Sequence, residues 1–314
     1  MYLSISIFNL NQIKSYLSII FLAVYCISCN QNKAPKAIQK YIFMGHTYDE
    51  ESDDSFDPRM YKMDFNIFDE IWLGGDLFNQ TDQDQATLDK LNREMHVTKD
   101  HVYWAIGNHD CHNSNYALTE KLMSNRVFYS DTHDGITRLV LNTSINVVSI
   151  PQLSGRCDLL DQQYEMFQNV LDTISTKSSS HLVILSHQTH WGSLDTSYIR
   201  LCHFDDQDYQ WSCKEGQHDF ETVIYPKLVE VQKRGIQVIW VAGDWGGMSK
   251  KYEMVTPEKV IFLACGLLQS YPDGKKKWPT MRQKDKDEFL IFTHNIPEKK
   301  LTWEFIVLDE YVNN

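Results

Sequence analysis

The sequence predicts an α/β protein with one compact domain, and three observations support this. Short apolar runs rich in β-branched and aromatic residues alternate with segments of helical period from residue 40 onward. The composition does not change along that stretch, so no second domain is indicated. The last two apolar runs follow one another without a helix, which predicts an antiparallel pair at the end of a mixed sheet. Since 42% of the 314 residues are hydrophobic, a disordered chain is excluded.

Ten runs have the length and composition of strands. In chain order they are residues 41–44, 70–73, 102–106, 137–141, 147–150, 182–185, 237–242, 260–264, 289–293 and 302–308. Three segments place their apolar residues on one helical face, and they are residues 85–95, 162–174 and 220–233. In the third, Pro226 suits a first helical turn and Gly235 suits a stop.

The N-terminus predicts a secretory signal. An apolar run at residues 16–28 follows Lys14 and is too short to span about 30 Å of hydrocarbon. Ser28-Cys29 resembles the end of a bacterial lipobox, which makes Cys29 the expected lipidation site. An ordinary cleaved signal peptide and a simple membrane anchor are the alternatives, and all three place the body outside the cytoplasm. We therefore expect a signal peptide at 1–28, a tether at 29–39 and a domain at 40–311.

The charge and the cysteine content limit which binding partners and which metal sites are expected. The formal net charge is −12, with 30 basic and 42 acidic residues, so nucleic acid is not an expected partner. Cys26 and Cys29 belong to the predicted signal region, and the other five cysteines contain no C-x-x-C pair, which argues against a thiolate zinc site in the domain. Cys202 and Cys213 flank a short loop and are candidates for a disulfide in an oxidising compartment.

Metal-competent side chains follow five of the predicted strands. In chain order they are His46, Asp76, Asn108 with His109, His187 and Asp244. Groups that leave the carboxyl ends of strands in an open α/β sheet converge on one crevice. Mixed oxygen and imidazole ligands suit Mn, Fe or Zn, so the sequence predicts a site for one or two divalent ions.

The order and spacing of these motifs resembles the calcineurin-like metallophosphoesterase family across residues 41–309. Gly75-Asp76-Leu77-Phe78-Asn79 is similar to its G-D-x-x-D block, and Gly107-Asn108-His109-Asp110 reproduces its G-N-H-D/E block. His187 matches a lone histidine at a strand end. The resemblance implies a four-layer α/β/β/α sandwich with mixed sheets and with metals at the strand ends.

The resemblance also implies a role for each matching residue. Asp76 would bridge two metals and take part in catalysis. Asn108 and His187 would bind the second metal, and His46 would bind the first. His109 would contact the phosphate and protonate the leaving group as a general acid.

Three positions depart from the family pattern. Met44 stands where the first block should offer Asp, and Asn79 stands where an Asp usually orients the catalytic histidine. In the last block, Asp244 replaces one histidine as an oxygen ligand, and Gly246 replaces the other. The first metal is therefore left with fewer candidate ligands than the second.

Three accounts fit this asymmetry. The site holds one metal, or the acidic loop at residues 49–57 completes the first site, or the domain is a binding protein on a former enzyme scaffold. For the acidic loop, a solvated surface segment is the alternative. His190 is expected either to contact substrate or metal or to lie on a surface loop. Asp110 is expected to brace its own loop.

The sequence therefore predicts a hydrolase that cleaves a phosphate ester with metal-activated water at the cell envelope. It would be a lipoprotein anchored to the membrane, or a periplasmic or extracellular protein. Its expected substrate is a phosphorylated small molecule or an envelope glycan. The alternative is a non-catalytic envelope protein that binds phosphate-bearing or glycan ligands in the same crevice.

Overall fold

A computed structural model describes residues 36–49, 51–113, 115–124, 126–145, 147, 150–195, 211–213, 219–244, 251–267 and 286–313. The predicted signal peptide, Cys29, Cys202 and Gly246 lie outside these residues. The chain divides into two units, Met1–Ala37 and Ile38–Asn314. Every strand and helix named below belongs to the second unit.

The strands of the described residues are β1 Ile38–Met44, β2 Glu70–Leu73, β3 Val102–Trp104, β4 Tyr129–His133, β5 Ile136–Val140, β6 His181–Ser186, β7 Gln237–Ala242, β8 Lys251–Val255, β9 Ile261–Cys265, β10 Glu288–Asn295 and β11 Lys300–Val307. The α-helices are α1 Gln85–Met95, α2 Tyr116–Leu122, α3 Cys157–Thr173, α4 Tyr225–Lys233 and α5 Leu308–Val312. A π-helical turn, Phe220–Ile224, precedes α4.

Within the described part of the chain, these strands form two mixed sheets. Sheet one has the order β11-β10-β1-β2-β3, in which β1, β2 and β3 are parallel and β10 runs antiparallel to β1. Sheet two has the order β4-β5-β6-β7-β9-β8, with four parallel central strands and an antiparallel strand at each edge. The predicted α/β class is confirmed, and the two mixed sheets are compatible with the expected sandwich.

The central strands of sheet two are buried on both faces. Along β6, Val183 and Leu185 pack into the same apolar cluster as sheet one, while Leu182 and Ile184 pack into a second cluster. Residues of α3 and α4 complete that second cluster. Because successive side chains of a strand point to opposite faces, β6 packs towards sheet one on one side and towards helices on the other. The architecture is compatible with an α/β sandwich.

Register brings the carboxyl ends of neighbouring strands level. The last residue of β1, Met44, pairs with Leu73 at the end of β2, which pairs with Trp104 at the end of β3. In sheet two, Ser186 at the end of β6 pairs with Ala242 at the end of β7. The segments that follow β1, β2 and β3 therefore begin side by side at one end of sheet one. The segments that follow β6 and β7 begin side by side at one end of sheet two.

Several predicted boundaries differ from the observed ones. β1 begins at Ile38, within the predicted tether, and α3 begins at Cys157 rather than at residue 162. Of the predicted strand at residues 147–150, Val147 and Ile150 are described and belong to no strand. Strands β4 and β8 and helices α2 and α5 were not among the predicted elements.

Candidate functional site

Six side chains that follow strand ends come together at one place. His46 follows β1, Asp76 follows β2, and Asn108 and His109 follow β3. From sheet two, His187 follows β6 and Asp244 follows β7. Direct side-chain contacts of 4.0 Å or less link all six into one cluster. The structure thus gathers the residues that the sequence identified as metal-ligand and catalytic candidates.

Asp76 lies at the centre of this cluster and is fully buried. Its Oδ1 accepts a hydrogen bond of 2.8 Å from the backbone N–H of His109. Its Oδ2 lies 3.0 Å from His46 Nε2, 3.3 Å from His187 Nε2 and 4.0 Å from His109 Nε2. Burial would raise the pKa of Asp76, but the imidazoles of His187 and His109 hold that pKa well below its usual value.

A buried acceptor without a donor is costly, and Asp76 Oδ2 is one. Among the described residues, it makes no hydrogen bond of acceptable geometry. Leaving a buried charged oxygen in that state costs several kcal/mol in order of magnitude. A cation between Oδ2 and the facing imidazoles would remove this cost.

His187 is a second buried polar group that faces the centre of the cluster. Its ring is fully buried, and Nδ1 donates to the carbonyl of Gly74 at 2.7 Å. Nε2 then faces acceptors, Asp76 Oδ2 at 3.3 Å and Asn108 Oδ1 at 3.1 Å. Burial lowers the pKa of His187, but the carboxylates of Asp76 and Asp244 outweigh it and raise the pKa to about 10.

The contacts of His187 match those of a metal ligand. Histidines that ligate metals commonly donate their second ring nitrogen to a carbonyl, which fixes the tautomer and leaves the other nitrogen for the ion. Here His187 Nε2 must carry either a proton or a metal ion. Without one of them, its lone pair would point at the oxygens of Asp76 and Asn108.

His46 and Asp244 extend the cluster. His46 Nε2 lies 3.3 Å from Asp244 Oδ1, and the Asp244 side chain is 8% exposed. Ligand atoms of His46, Asp76 and His187 all lie within 4.8 Å of one another, and all three residues are buried. This cluster could hold a metal ion.

Glycines let the two sheets approach closely at this edge. A Cβ on Gly243 would lie 2.1 Å from the carbonyl oxygen of Gly74, and a Cβ on Gly107 would lie 2.2 Å from Asp76 Oδ1. No larger residue fits at either position without moving the backbone. His46 and Asp76 both have positive φ, 48° and 54°, a conformation that non-glycine residues seldom adopt and that is enriched at functional sites.

Asp110 braces the loops around Asp76, as expected. Its two oxygens accept hydrogen bonds from the backbone N–H groups of Asp76, Leu77 and Gly107 at 2.9, 3.0 and 2.8 Å. The hydroxyl of Thr81 donates to it at 2.6 Å. Burial and the nearby charge of Asp76 raise the pKa of Asp110. The contacts of Asp110 therefore hold the backbone of these loops in place, and Asp76 supplies the carboxylate that faces the histidines of the cluster.

His109 obtains its orientation from the backbone. Its Nδ1 lies 2.7 Å from the carbonyl oxygen of Asn79, which can only accept, so the proton resides on Nδ1. The Asn79 side chain instead points to Asp53, with 3.4 Å between Nδ2 and Oδ1. Asn79 therefore orients His109 through its backbone carbonyl, and the weaker polarisation of His109 expected from the loss of the family Asp stays a prediction.

The departure at Met44, and the acidic loop that was expected to compensate for it, also have structural outcomes. Met44 is fully buried in the apolar cluster of sheet one, so it belongs to the core. In the described ranges, no carboxylate of the acidic loop joins the set of His46, Asp76 and His187. Asp57 pairs with Arg59 at 2.6 Å instead. The second account of the asymmetry, in which this loop completes a metal site, receives no support from these contacts.

His190 does not lie on a surface loop. It is 4% exposed, and its ring packs edge-on against Trp211 at 5.4 Å between centroids. Burial and the nearby charge of His187 lower its pKa to about 3, so it stays neutral at physiological pH. Contact of His190 with substrate or metal stays a prediction.

The disulfide differs from the predicted one. Cys213 bonds Cys157 at the start of α3, with Cα atoms 5.5 Å apart, and not Cys202. The two cysteines are 56 positions apart in sequence, and proximity in sequence misled the prediction. Cys111 and Cys265 are buried free thiols.

Tyr48 is a site residue that the sequence did not reveal. Its ring stacks on His109, with centroids 5.0 Å apart and planes at 25°, and it meets His46 edge-on at 5.8 Å. No motif of the sequence includes Tyr48. Its position two residues after His46, a candidate ligand, was the available signal.

Comparison with known proteins identifies no relative, so a proposal of function depends on the site and the sequence motifs. No family model matches the chain, and no curated protein matches it significantly. Among the described helices, none has the length and apolar character needed to cross a membrane.

Proposed function

We propose that this chain is a metal-dependent phosphoesterase of the calcineurin-like metallophosphoesterase type. The observation that carries the proposal is the buried Asp76 Oδ2, which lacks a hydrogen bond among the described residues and faces His46 Nε2 and His187 Nε2 at 3.0 and 3.3 Å. The order of the sequence motifs supports the family assignment. The two mixed sheets support its four-layer α/β/β/α sandwich.

The donors present suit a single divalent ion. His46, Asp76, His187 and Asn108 would hold it, with Asp244 as a further oxygen ligand next to His46. Two imidazoles with carboxylate and amide oxygens suit Mn, Fe or Zn. When bound, such an ion would activate water and offset the charge of a phosphate group. Among the described residues, neither Met44 nor the acidic loop supplies donors for a second ion.

His109 is the proposed general acid of this site. Its side chain is 27% exposed, whereas those of Asp76 and His187 are fully buried. With Nδ1 held by Asn79, the proton that moves to the leaving group would come from Nε2. Asp76 Oδ2 lies 4.0 Å from this nitrogen.

The proposed setting is the cell envelope, with a lipid anchor at Cys29 and a phosphorylated small molecule or an envelope glycan as substrate. The apolar run at residues 16–28 and Ser28-Cys29 support the anchor. Acyl labelling of membrane fractions tests it. The competing function is a non-catalytic protein that binds phosphate-bearing or glycan ligands, which the unusual residues Met44 and Gly246 favour.

Metal analysis paired with turnover tests the proposal. We expect purified protein to contain about one Mn, Fe or Zn per chain, and to hydrolyse phosphate monoesters or diesters. Asp76→Asn and His187→Gln should lose most of the metal, because each removes a central donor. Asp131→Asn, which removes a β4 carboxylate that contacts Tyr103 Oη and His133, is the control and should retain it.

Three outcomes separate the alternatives. Metal binding without turnover, but with binding of phosphate-bearing ligands, would support the non-catalytic function. Turnover that survives in both Asp76→Asn and His109→Ala would mean that the site lies elsewhere. Two tightly bound ions per chain would contradict the single-ion assignment.

A further inference from the structure

The acidic loop, residues 49–57, has no part in the proposed metal site, yet the structure describes it over all but one residue. Tyr48 and Phe56 form an antiparallel bridge at its base. The backbone N–H of Asp57 donates to the carbonyl of Thr47 at 2.8 Å, and that of Asp49 donates to Ser55 at 2.9 Å. The loop is thus closed by backbone hydrogen bonds directly after His46.

The carboxylates of this loop bind protein groups. The buried Asp57 pairs with Arg59, whose guanidinium also contacts Asp287. Lys90 Nζ lies 3.3 Å from Asp54 Oδ2. These cations offset part of the negative charge of the loop and attach it to the body of the protein.

Asp53 connects the tip of the loop to the segment that follows Asp76. Its carbonyl accepts from the backbone N–H of Gln80 at 2.8 Å, and its Oδ1 accepts from Gln80 Nε2 at 2.7 Å. The neighbouring residue is Asn79, whose carbonyl oxygen holds His109 Nδ1 at 2.7 Å. Asp53 therefore fixes the backbone that orients His109.

The base of the loop contacts His109 directly. The ring of Tyr48 stacks on the His109 ring at 5.0 Å, and His112 meets that ring edge-on at 5.0 Å. A ring held at Nδ1 and across one face has little freedom to rotate about χ2. Both restraints trace to the acidic loop, one through Tyr48 and one through Asp53 and Asn79.

We propose that the acidic loop is a clamp that positions the His109 imidazole, with Tyr48 and Asp53 as its positioning residues. The importance of this clamp for catalysis rests on the proposed function, whereas the orientation of the ring does not. Proton transfer needs the donor nitrogen within hydrogen-bond reach of the leaving oxygen, so a rotated ring would slow that step alone.

The first test measures the ring without any reaction. In NMR spectra of the Zn²⁺-loaded protein, we expect the carbon-bound ring protons of His109, assigned by their loss in His109→Ala, to be shifted upfield by the stacked Tyr48 ring. Tyr48→Phe keeps an aromatic ring and should preserve the shift, while Tyr48→Leu should abolish it. An unchanged shift in a folded Tyr48→Leu protein would overturn the contact.

The second test uses matched phenyl and 4-nitrophenyl phosphate esters. A poor leaving group needs protonation and a good one does not, so we expect Tyr48→Leu and Asp53→Ala to lower kcat about tenfold more for the phenyl ester, with KM little changed. Tyr48→Phe should rescue the loss. Glu51→Ala removes one exposed charge from the same loop and should stay close to wild type.

The outcomes separate this inference from the proposed function. Equal loss on both esters, or an effect of Glu51→Ala as large as that of Asp53→Ala, would overturn the clamp. If none of the proteins hydrolyses either ester while the NMR shift behaves as expected, the clamp stands and the phosphoesterase proposal fails.

Discussion

At the residue scale, a main-chain carbonyl takes the place of a side chain at Asn79. The carbonyl oxygen holds His109 Nδ1 at 2.7 Å, while the side chain makes a weak contact of 3.4 Å with Asp53. We predict that Asn79→Ala changes kcat by less than about fivefold, since a hydrogen bond contributes about 1 kcal/mol and this one is long. His109→Ala should lower kcat by about 100-fold or more, which is the usual contribution of a general acid.

Steady-state kinetics of the two variants on a phenyl phosphate ester shows whether the side chain or the backbone carbonyl of Asn79 orients His109. If Asn79→Ala is as damaging as His109→Ala, the Asn79 side chain orients the ring and the backbone does not. Asn79→Asp serves as a second comparison, because it restores the family residue. It should give no gain, since the Nδ1 position of His109 is already satisfied.

The sequence predicted the members of the cluster, because each follows an apolar run and is flanked by glycine or by another strand-end polar residue. Asp76 and His187 are examples. The orientation of His109 was beyond the sequence, since every residue has a carbonyl and only the folded backbone decides which one faces Nδ1. The stacking of Tyr48 likewise depends on the closed loop at residues 49–57, whose composition suggested a solvated segment.

At the scale of elements, the disulfide joins the first residue of α3, Cys157, to Cys213 across 56 positions. Beside it, Ser212 Oγ and the backbone N–H of Cys213 donate to Asp161 of α3 at 2.6 and 3.1 Å. Closing a loop of that length restricts the unfolded chain, so we predict that Cys157→Ala/Cys213→Ala lowers the free energy of unfolding by about 2–4 kcal/mol.

Urea unfolding with and without a thiol reductant checks this prediction. Reduced wild type should unfold at the same midpoint as the double variant, and the variant itself should not respond to reductant. A wild-type midpoint that ignores the reductant, while the thiols titrate as free, would contradict the assigned pairing.

Elements with apolar faces were predicted best. Strands β4 and β8 were missed because they form the two edges of sheet two, where exposed polar residues alternate with few buried ones. Polar edges protect a sheet from pairing with other chains, and they also erase the apolar run by which a strand is recognised. The short helix α2 was missed because its seven residues bury only Tyr116 and Thr119, which is too few to show a helical period.

At the scale of the whole molecule, the division into two sheets was not predictable from local pattern. The chain builds β1, β2 and β3, leaves for sheet two, and returns with β10, which pairs antiparallel with β1. Residues Ile42 and Ile291, partners in that pairing, are far apart in sequence. Period and propensity describe one segment at a time, so they do not report which segments share a sheet.

A buried ion pair connects the two sheets. Arg138 on β5 donates from Nε to Glu70 Oε2 on β2 at 2.7 Å, and their side chains are 0% and 4% exposed. Trp72 Nε1 donates to the same carboxylate at 2.7 Å, and the ring of Tyr103 lies 5.3 Å from the guanidinium carbon. Since Glu70 begins β2 and Asp76 follows its end, the pair and the metal cluster lie at opposite ends of that strand.

We predict that Arg138→Met lowers the free energy of unfolding by about 3–5 kcal/mol, because it takes the fully buried cation away from the Glu70 carboxylate and leaves beside it the more exposed His133 ring, 3.5 Å away. Arg138→Met/Glu70→Gln should recover at least half of that loss, since Gln removes the charge and still accepts from Trp72 Nε1. Denaturant unfolding of the two single variants and the double variant measures the coupling. A loss below about 1 kcal/mol in Arg138→Met would show that this pair does not hold the sheets together. The folded variants should bind as much metal as wild type, which distinguishes a fault in sheet packing from one in the site.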